Sequence, residues 1–332
     1  MRLNAWQRSL RSIVVKESMR IVIVGLGVQG RKRAKIAGGD LVATVDPVVS
    51  DADHRSLSEL DAQSYAAAAL CVPDSEKIPL IRELVSEGKH VLVEKPLVGS
   101  EQVALSELEE YALDAGVVVY TAYNHRFEPN IVHARQLLAE RIIGDVYRIS
   151  IYYGNGTARL VRDSAWRDQG SGVLHDLGSH VIDMFHEWCG RPSDDYEAVE
   201  MSSFENRAPD HVVFQAKGHH PKLFGELSLL SWRNSFRAEV VGSSGSLHID
   251  GLAKWGESVL TLRRRVLPSG VPEETVWRVP QGDSTWQAEY EHFGSLCESG
   301  AATDFSRDIL IEGALRRIHG DLTTEPRDGT LS

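Results

Sequence analysis

The chain has 332 residues, 42% of them hydrophobic and 25% charged, with 28 Gly and 12 Pro. That is room for about two domains, each with its own core, and it is unlike collagen, low-complexity or disulfide-stapled chains. A formal net charge of −11 gives no general attraction to nucleic acid or anionic lipid, and no run of about 18 apolar residues is present to span a membrane.

Residues 1–18 hold Arg2, Arg8, Arg11 and Lys16 against Glu17 alone. They lack the apolar core of a secretory signal and are read as an upstream start or a peripheral arm, with the domain beginning at Met19. Short apolar runs then alternate with helical patterns. Strands are expected at 20–24, 41–45, 67–72, 90–93 and 117–120, and helices at 31–37, 76–86 and 100–114, the last capped by Ser100 and ended by Gly116. This order implies a parallel, doubly wound α/β sheet over 19–126. After residue 126 the pattern changes. A helix at 129–141, a strand at 146–153, a loop at 154–169 and a helix at 173–189 precede strands at 196–203, 211–217, 223–231, 236–242, 245–249, 258–266 and 275–279. Helices close the chain at 285–298 and 305–318. Successive strands without helices between them predict an open, mostly antiparallel sheet in an α+β domain over 127–320, with a tail at 321–332.

Three groups of residues carry chemistry. Gly25, Gly27 and Gly30 form GxGxxG between a buried strand and a helix, with Asp46 ending the next strand. That is the context in which glycines let backbone approach a pyrophosphate and an acid receives a ribose diol. Asp46 favours NAD, while Arg31, Lys32 and Arg33 keep NADP open; the three cations lie in a helix and are read first as its solvated face. Glu94-Lys95-Pro96 follows a buried strand, at the edge where open α/β sheets bind ligands. There Lys95 can hydrogen-bond a hydroxyl becoming a carbonyl, with Glu94 placed to orient it and Pro96 in cis or trans. Third, Asp176 and His180 stand four apart beside the apolar stripe of the 173–189 helix, which suits a carboxylate-oriented general base. A core-edge histidine in a helical pair fits the same spacing. A metal site of Asp176, His180 and Asp183 ranks behind both, because His175 and His186 point elsewhere. Cys71, Cys189 and Cys297 are far apart and form no CxxC pair, so neither a disulfide framework nor a thiolate zinc site is expected, and a cytoplasmic location is.

In combination and order, GLGVQG with Asp46, EKP, Tyr123-Asn124-His125-Arg126-Phe127, Trp166-Arg167, the GSGVLHDLGSHVIDMF run from Gly170 to Phe185, and VGSSGSL from Val241 resemble the Gfo/Idh/MocA (glucose–fructose oxidoreductase / inositol dehydrogenase) family. The resemblance runs from about Met19 to Ile318. It implies a Rossmann domain, a second domain whose open sheet forms homodimers or homotetramers, and hydride transfer in the cleft between them. It further implies Lys95, Asp176 and His180 as the catalytic set. The cofactor set is Gly25, Gly27, Val28, Gln29, Gly30, Asp46, Pro73, Glu94, Lys95 and Asn124. The chain departs from the family between Asp46 and Ala67, where the usual extra strand–helix unit has room for one short strand or turn.

The expected function is therefore an NAD(P)-dependent dehydrogenase or ketoreductase acting on a secondary alcohol of a sugar, cyclitol or sugar derivative, with His180 as base and Lys95 on the reacting oxygen. A non-catalytic NAD-binding sensor on the same fold is the alternative. Lys95, Arg126, Arg159, Arg162, Trp166, Arg167, Asp176 and His180 are the candidate substrate residues. The arginines suit phosphate or carboxylate capture, and a solvated loop or subunit contact explains them as well.

Overall fold

The computed structural model describes residues 19–100, 102–164, 167–190, 195–218 and 220–321. The basic segment 1–18, Trp166 and residues 322–332 lie outside the described residues.

The first sheet has five parallel strands in the order β2-β1-β3-β4-β5, namely Leu41–Val45, Ile21–Val24, Ala67–Leu70, His90–Glu94 and Val119–Ala122. All residues of β1 and β3 are buried, as strands covered by helices on both faces require. Helices α1 (Val28–Ala37), α2 (Asp74–Ser86) and α3 (Leu105–Asp114) make the crossovers. Helix α3 starts later than expected: the Ser100 hydroxyl accepts from the backbone N–H groups of Gln102 and Val103 and organises a turn, not the helix end. Residues 46–66 hold two 3-10 turns, Leu57–Glu59 and Ala62–Ser64, and a lone bridge from Val45 to His54. Strand β2 is consequently an edge, shielded by Asp53, whose carboxylate takes the Thr44 N–H and hydroxyl at 2.8 Å each.

The second sheet has eight strands in the order β13-β12-β11-β10-β6-β9-β8-β7. In chain order β6 is Val146–Gly154, β7 Tyr196–Ser202, β8 His211–Ala216, β9 Lys222–Ser228, β10 Ser235–Gly242, β11 Gly245–Asp250, β12 Ser258–Arg264 and β13 Glu273–Val279. Only β6 and β9 pair in parallel. Burial alternates along β8 and β10, so one face is apolar. It forms a core with α4 (Pro129–Ala139), α6 (Ser179–Cys189) and α8 (Ser306–Asp321). The loop expected at 154–169 contains a short helix, α5 (Ala158–Arg162), and the helix expected at 173–189 is continuous but opens with a π-helical turn, Leu174–Gly178, ahead of α6.

Helix α7 (Thr285–Ser299) returns to the first sheet. Its Phe293 and Tyr290 join Ile21, Ile23 and Ala37 in one apolar cluster, and the Tyr290 hydroxyl donates to Asp40. Among the described residues, no helix is long and apolar enough to cross a membrane.

Candidate active site

The glycine-rich turn is built by close approach. A Cβ on Gly25, whose φ is +88°, would lie 2.3 Å from the Cys71 carbonyl oxygen, and one on Gly30 would lie 1.8 Å from that of Gly25. Only glycine fits either place. Gly27 instead faces open space, with nothing within 4 Å of a Cβ. Gly27, Val28 and Gln29 are exposed, and no side chain caps α1. The first-turn N–H groups of α1 are thus available to an anion, and this geometry fits a dinucleotide pyrophosphate. Asp46 ends β2 beside the turn. Its Oδ2 accepts from Leu26 N at 2.7 Å and its Oδ1 from Val48 N and Val49 N at 2.9 Å each. Desolvation opposes its charge, but these backbone donors and Arg55 hold the carboxyl below the usual range. Two carboxylate oxygens offer about four acceptor positions, so room remains for a hydroxyl.

The three cations at the start of α1 separate. Arg31 makes an exposed pair with Asp51, and Lys32 pairs with Asp283 at 2.6 Å. Arg33 does not lie on a solvated face. It is 2% exposed, held between Glu94 at 2.8 Å and Glu289 of α7 at 2.7 Å, with its guanidinium 4.3 Å from the centre of the Trp286 ring. Glu94 is thereby committed to Arg33 and does not orient Lys95, contrary to the expectation from the sequence.

The orienting group is Asp176. Lys95 Nζ donates to its carboxylate at 3.0 Å and to its main-chain oxygen at 2.7 Å. The π-helical turn presents Asp176 to Lys95 and away from His180; a wheel of 100° per residue could not show this, because a π turn shifts the phase of what precedes it. Desolvation again opposes the charge on Asp176, and Lys95 followed by Arg167 outweighs it, holding the carboxyl low. The neighbouring His175 reaches Asp74 at 2.7 Å, so α2 and β4 grip the turn from two sides. Lys77, 2% exposed, pairs with the same Asp74 at 2.7 Å and donates to the Pro96 carbonyl at 2.8 Å. It supports the bend after Lys95, where the Lys95–Pro96 bond is cis.

His180, 6% exposed, pairs with no carboxylate among the described residues. Its Nδ1 lies 2.7 Å from Nδ1 of His125, and Tyr123 and Tyr153 pack against its ring. The expectation that Asp176 orients His180 is therefore replaced by a histidine pair. Burial, with His125, Lys95, Lys254 and Arg126 nearby, holds His180 well below its ordinary pKa. His125 and Lys254 were not singled out from the sequence. His125 had a signal, standing between Asn124 and Arg126 just beyond β5; Lys254 had none.

The remaining candidates divide. Asn124 donates to Thr285 of α7 at 2.9 Å. Arg126 is spent on Asp183, through Nε at 3.0 Å and Nη2 at 2.7 Å, and so ties the 3-10 turn Asn124–Phe127 to α6 instead of facing a substrate. Pro73 is exposed at the end of β3. Arg167 reaches the site, 3.7 Å from Asp176, whereas Arg159 and Arg162 are exposed on α5, Arg159 lying 3.7 Å from Glu205. Cys71, Cys189 and Cys297 are free thiols.

Comparison with known proteins bears on the family and the fold. The GFO/IDH/MocA C-terminal domain model matches residues 131–248. An uncharacterized oxidoreductase of Escherichia coli (strain K12), YdgJ, is 30% identical over 181 residues, 52% of this chain and 50% of its own length. An inositol 2-dehydrogenase of Rhizobium meliloti (strain 1021) is 24% identical over 252 residues, 69% of this chain and 75% of its own. The chain thus spans about half or less of the first curated relatives it matches. Among solved structures, an inositol dehydrogenase homolog from Azotobacter vinelandii, crystallised with NAD+, has a TM-score of 0.74 at 18% identity. It covers 92% of this chain and 95% of its own, a likeness of fold.

Proposed function

The chain belongs to the Gfo/Idh/MocA family, and from that premise we propose that it is a nicotinamide-dependent dehydrogenase of a secondary alcohol on a cyclitol, sugar or sugar derivative. The observation that carries this reading is Lys95 locked onto Asp176 in the turn that leads into His180. An ammonium and a buried imidazole are thereby held together at the carboxyl edge of a parallel sheet, beside the glycine turn.

The first turn of α1 would hold the pyrophosphate and Asp46 the adenine-side ribose, whose diol it accepts and whose 2′-phosphate it would repel; this favours NAD. The nicotinamide supplies the hydride acceptor. The rest is done by the chain. Asp176 aims Lys95, whose ammonium hydrogen-bonds the reacting oxygen and steadies charge as the carbonyl forms. His180 receives the hydroxyl proton at Nε2, its Nδ1 being engaged by His125. Arg167 is the cation best placed for an acidic substituent. The outer face of the second sheet, bearing Tyr152, Phe224, Arg237 and Arg263, is the surface proposed for a second copy.

The test is turnover by full-length K95A and H180N on neutral polyols, sugars and sugar acids, alongside NADH binding. Turnover should fall by about 10²-fold or more, with NADH affinity retained. Undiminished turnover in both variants refutes the assignment.

A further inference from the structure

The histidine pair has an outer end. His125 Nε2 lies 3.0 Å from Lys254 Nζ and 3.4 Å from the Tyr153 hydroxyl, while its Nδ1 meets that of His180 at 2.7 Å. Both imidazoles are buried, and Lys254 lies over the Trp255 ring at 4.4 Å. The charged groups around this line are few. Glu128 and Asp283 attract Lys254, and Lys32 and Lys95 repel it. Lys95 and Lys254 bear on His125, and Arg126 joins them at His180. Burial and these cations hold both rings well below the ordinary histidine range, which makes either imidazolium a poor resting place for a proton.

Two neutral imidazole nitrogens at hydrogen-bond distance share one proton, so the tautomer of each ring fixes that of the other. The group beyond the pair decides both. An ammonium donates and cannot accept. A charged Lys254 therefore makes His125 Nε2 an acceptor, puts the His125 proton on Nδ1, makes His180 Nδ1 an acceptor and leaves a proton on His180 Nε2. A neutral amine can accept, which permits the reverse polarity and a bare His180 Nε2.

We propose that Lys254 acts through His125 as a positioning residue that sets the tautomer of His180, so that His180 Nε2 accepts a proton when Lys254 is neutral and donates one when Lys254 is charged. This deepens the dehydrogenase reading above and rests on it for its catalytic consequence. In alcohol oxidation the hydroxyl proton passes to His180 Nε2, the His180 Nδ1 proton to His125 Nδ1, and the His125 Nε2 proton to Lys254 Nζ. The C–H bond breaks with its electron pair as hydride to the nicotinamide; the alcohol is oxidised and the nicotinamide reduced. The new charge ends on an ammonium, and neither buried ring becomes an imidazolium. Burial, aided by Lys32 and Lys95, brings Lys254 down to about 8, within the working range of ordinary assays.

The test reads the tautomer directly. Full-length protein with ¹⁵N-labelled imidazoles is titrated by NMR without substrate, His125 and His180 being assigned by signal loss in H125Q and H180Q. In the wild type the His180 proton should sit on Nε2 below about pH 8 and move to Nδ1 above it. K254M should abolish that pH response, and K254R, permanently charged, should hold the proton on Nε2 throughout. Oxidation of myo-inositol with NAD at about pH 9 should fall roughly 100-fold in K254R. A His180 tautomer that does not change with pH in the wild type, or that changes identically in a folded K254M, overturns the proposal. Because the NMR arm contains no substrate, failure of every polyol to turn over counts against the dehydrogenase reading and leaves the coupling to be decided by the tautomers.

Discussion

Asn at position 183 offers a demanding test of how the two histidines are held in register. Asp183, its side chain 1% exposed, accepts Arg126 Nε at 3.1 and 3.0 Å and Nη2 at 2.7 Å, with Arg307 Nη1 at 3.4 Å. D183N keeps the shape, removes the charge and turns an amide donor toward a guanidinium that has no acceptor of its own. Breaking one side of a buried ion pair costs about 3–5 kcal/mol. Arg126 keeps 17% exposure and the neighbouring Asp308 carboxyl, so the lower end, about 3 kcal/mol, is expected here. At about 2–4 °C per kcal/mol for a domain of this size, the melting temperature should fall by roughly 6–12 °C. Replacing both partners with apolar residues, as in R126M/D183L, removes the stranded charge and should cost about 1 kcal/mol or less. Urea unfolding with matched m-values measures both. The reasoning is refuted if D183N lies within about 1 kcal/mol of the wild type, or if the double variant is as unstable as the sum of its singles.

Two further outcomes follow from the same structure. Burial outweighs Arg126, pushing the Asp308 carboxyl up to about 7. A group whose folded pKa is raised adds stability that is present below its unfolded value and lost as pH rises through the folded one. The stability of D308N relative to wild type should therefore rise between about pH 4 and pH 7, as read from urea midpoints across that range; a constant difference refutes it. At the glycine turn, G27A should unfold like the wild type but bind NADH more weakly, while G30A should lose stability because its Cβ meets the Gly25 carbonyl. Thermal melts and NADH fluorescence separate the two, and equal effects from both variants would contradict the geometry.

The alternation of buried strands and helices was legible in the sequence because β-branched runs and terminal glycines such as Gly116 act locally. The glycine turn and Lys95 were legible for a related reason: each needs only its flanking strand and helix to be placed. What escaped the sequence reading depends on distant partners. Arg33 resembles its exposed neighbours Arg31 and Lys32 until Glu289, far along the chain, is brought against it. The π-helical turn altered one angular phase and so exchanged the partners of Asp176 and His180. Lys77 and Lys254 belong to no motif in the sequence, and only tertiary packing turns the first onto the Pro96 carbonyl and the second onto His125.

The return of α7 also has a consequence for the order in which the molecule is completed. Thr285, Glu289, Tyr290 and Phe293 fasten Asn124, Arg33, Asp40 and the apolar back of β1. On a ribosome, the strands that carry the nucleotide turn emerge first, yet wait for these late residues before Arg33 has both of its carboxylates and Ile21 and Ile23 are covered. A nascent chain halted before residue 285 would present that surface to chaperones or proteases. The first sheet is thus translated well before the helix that completes it, and its strands reach their final packing only once α7 has been made.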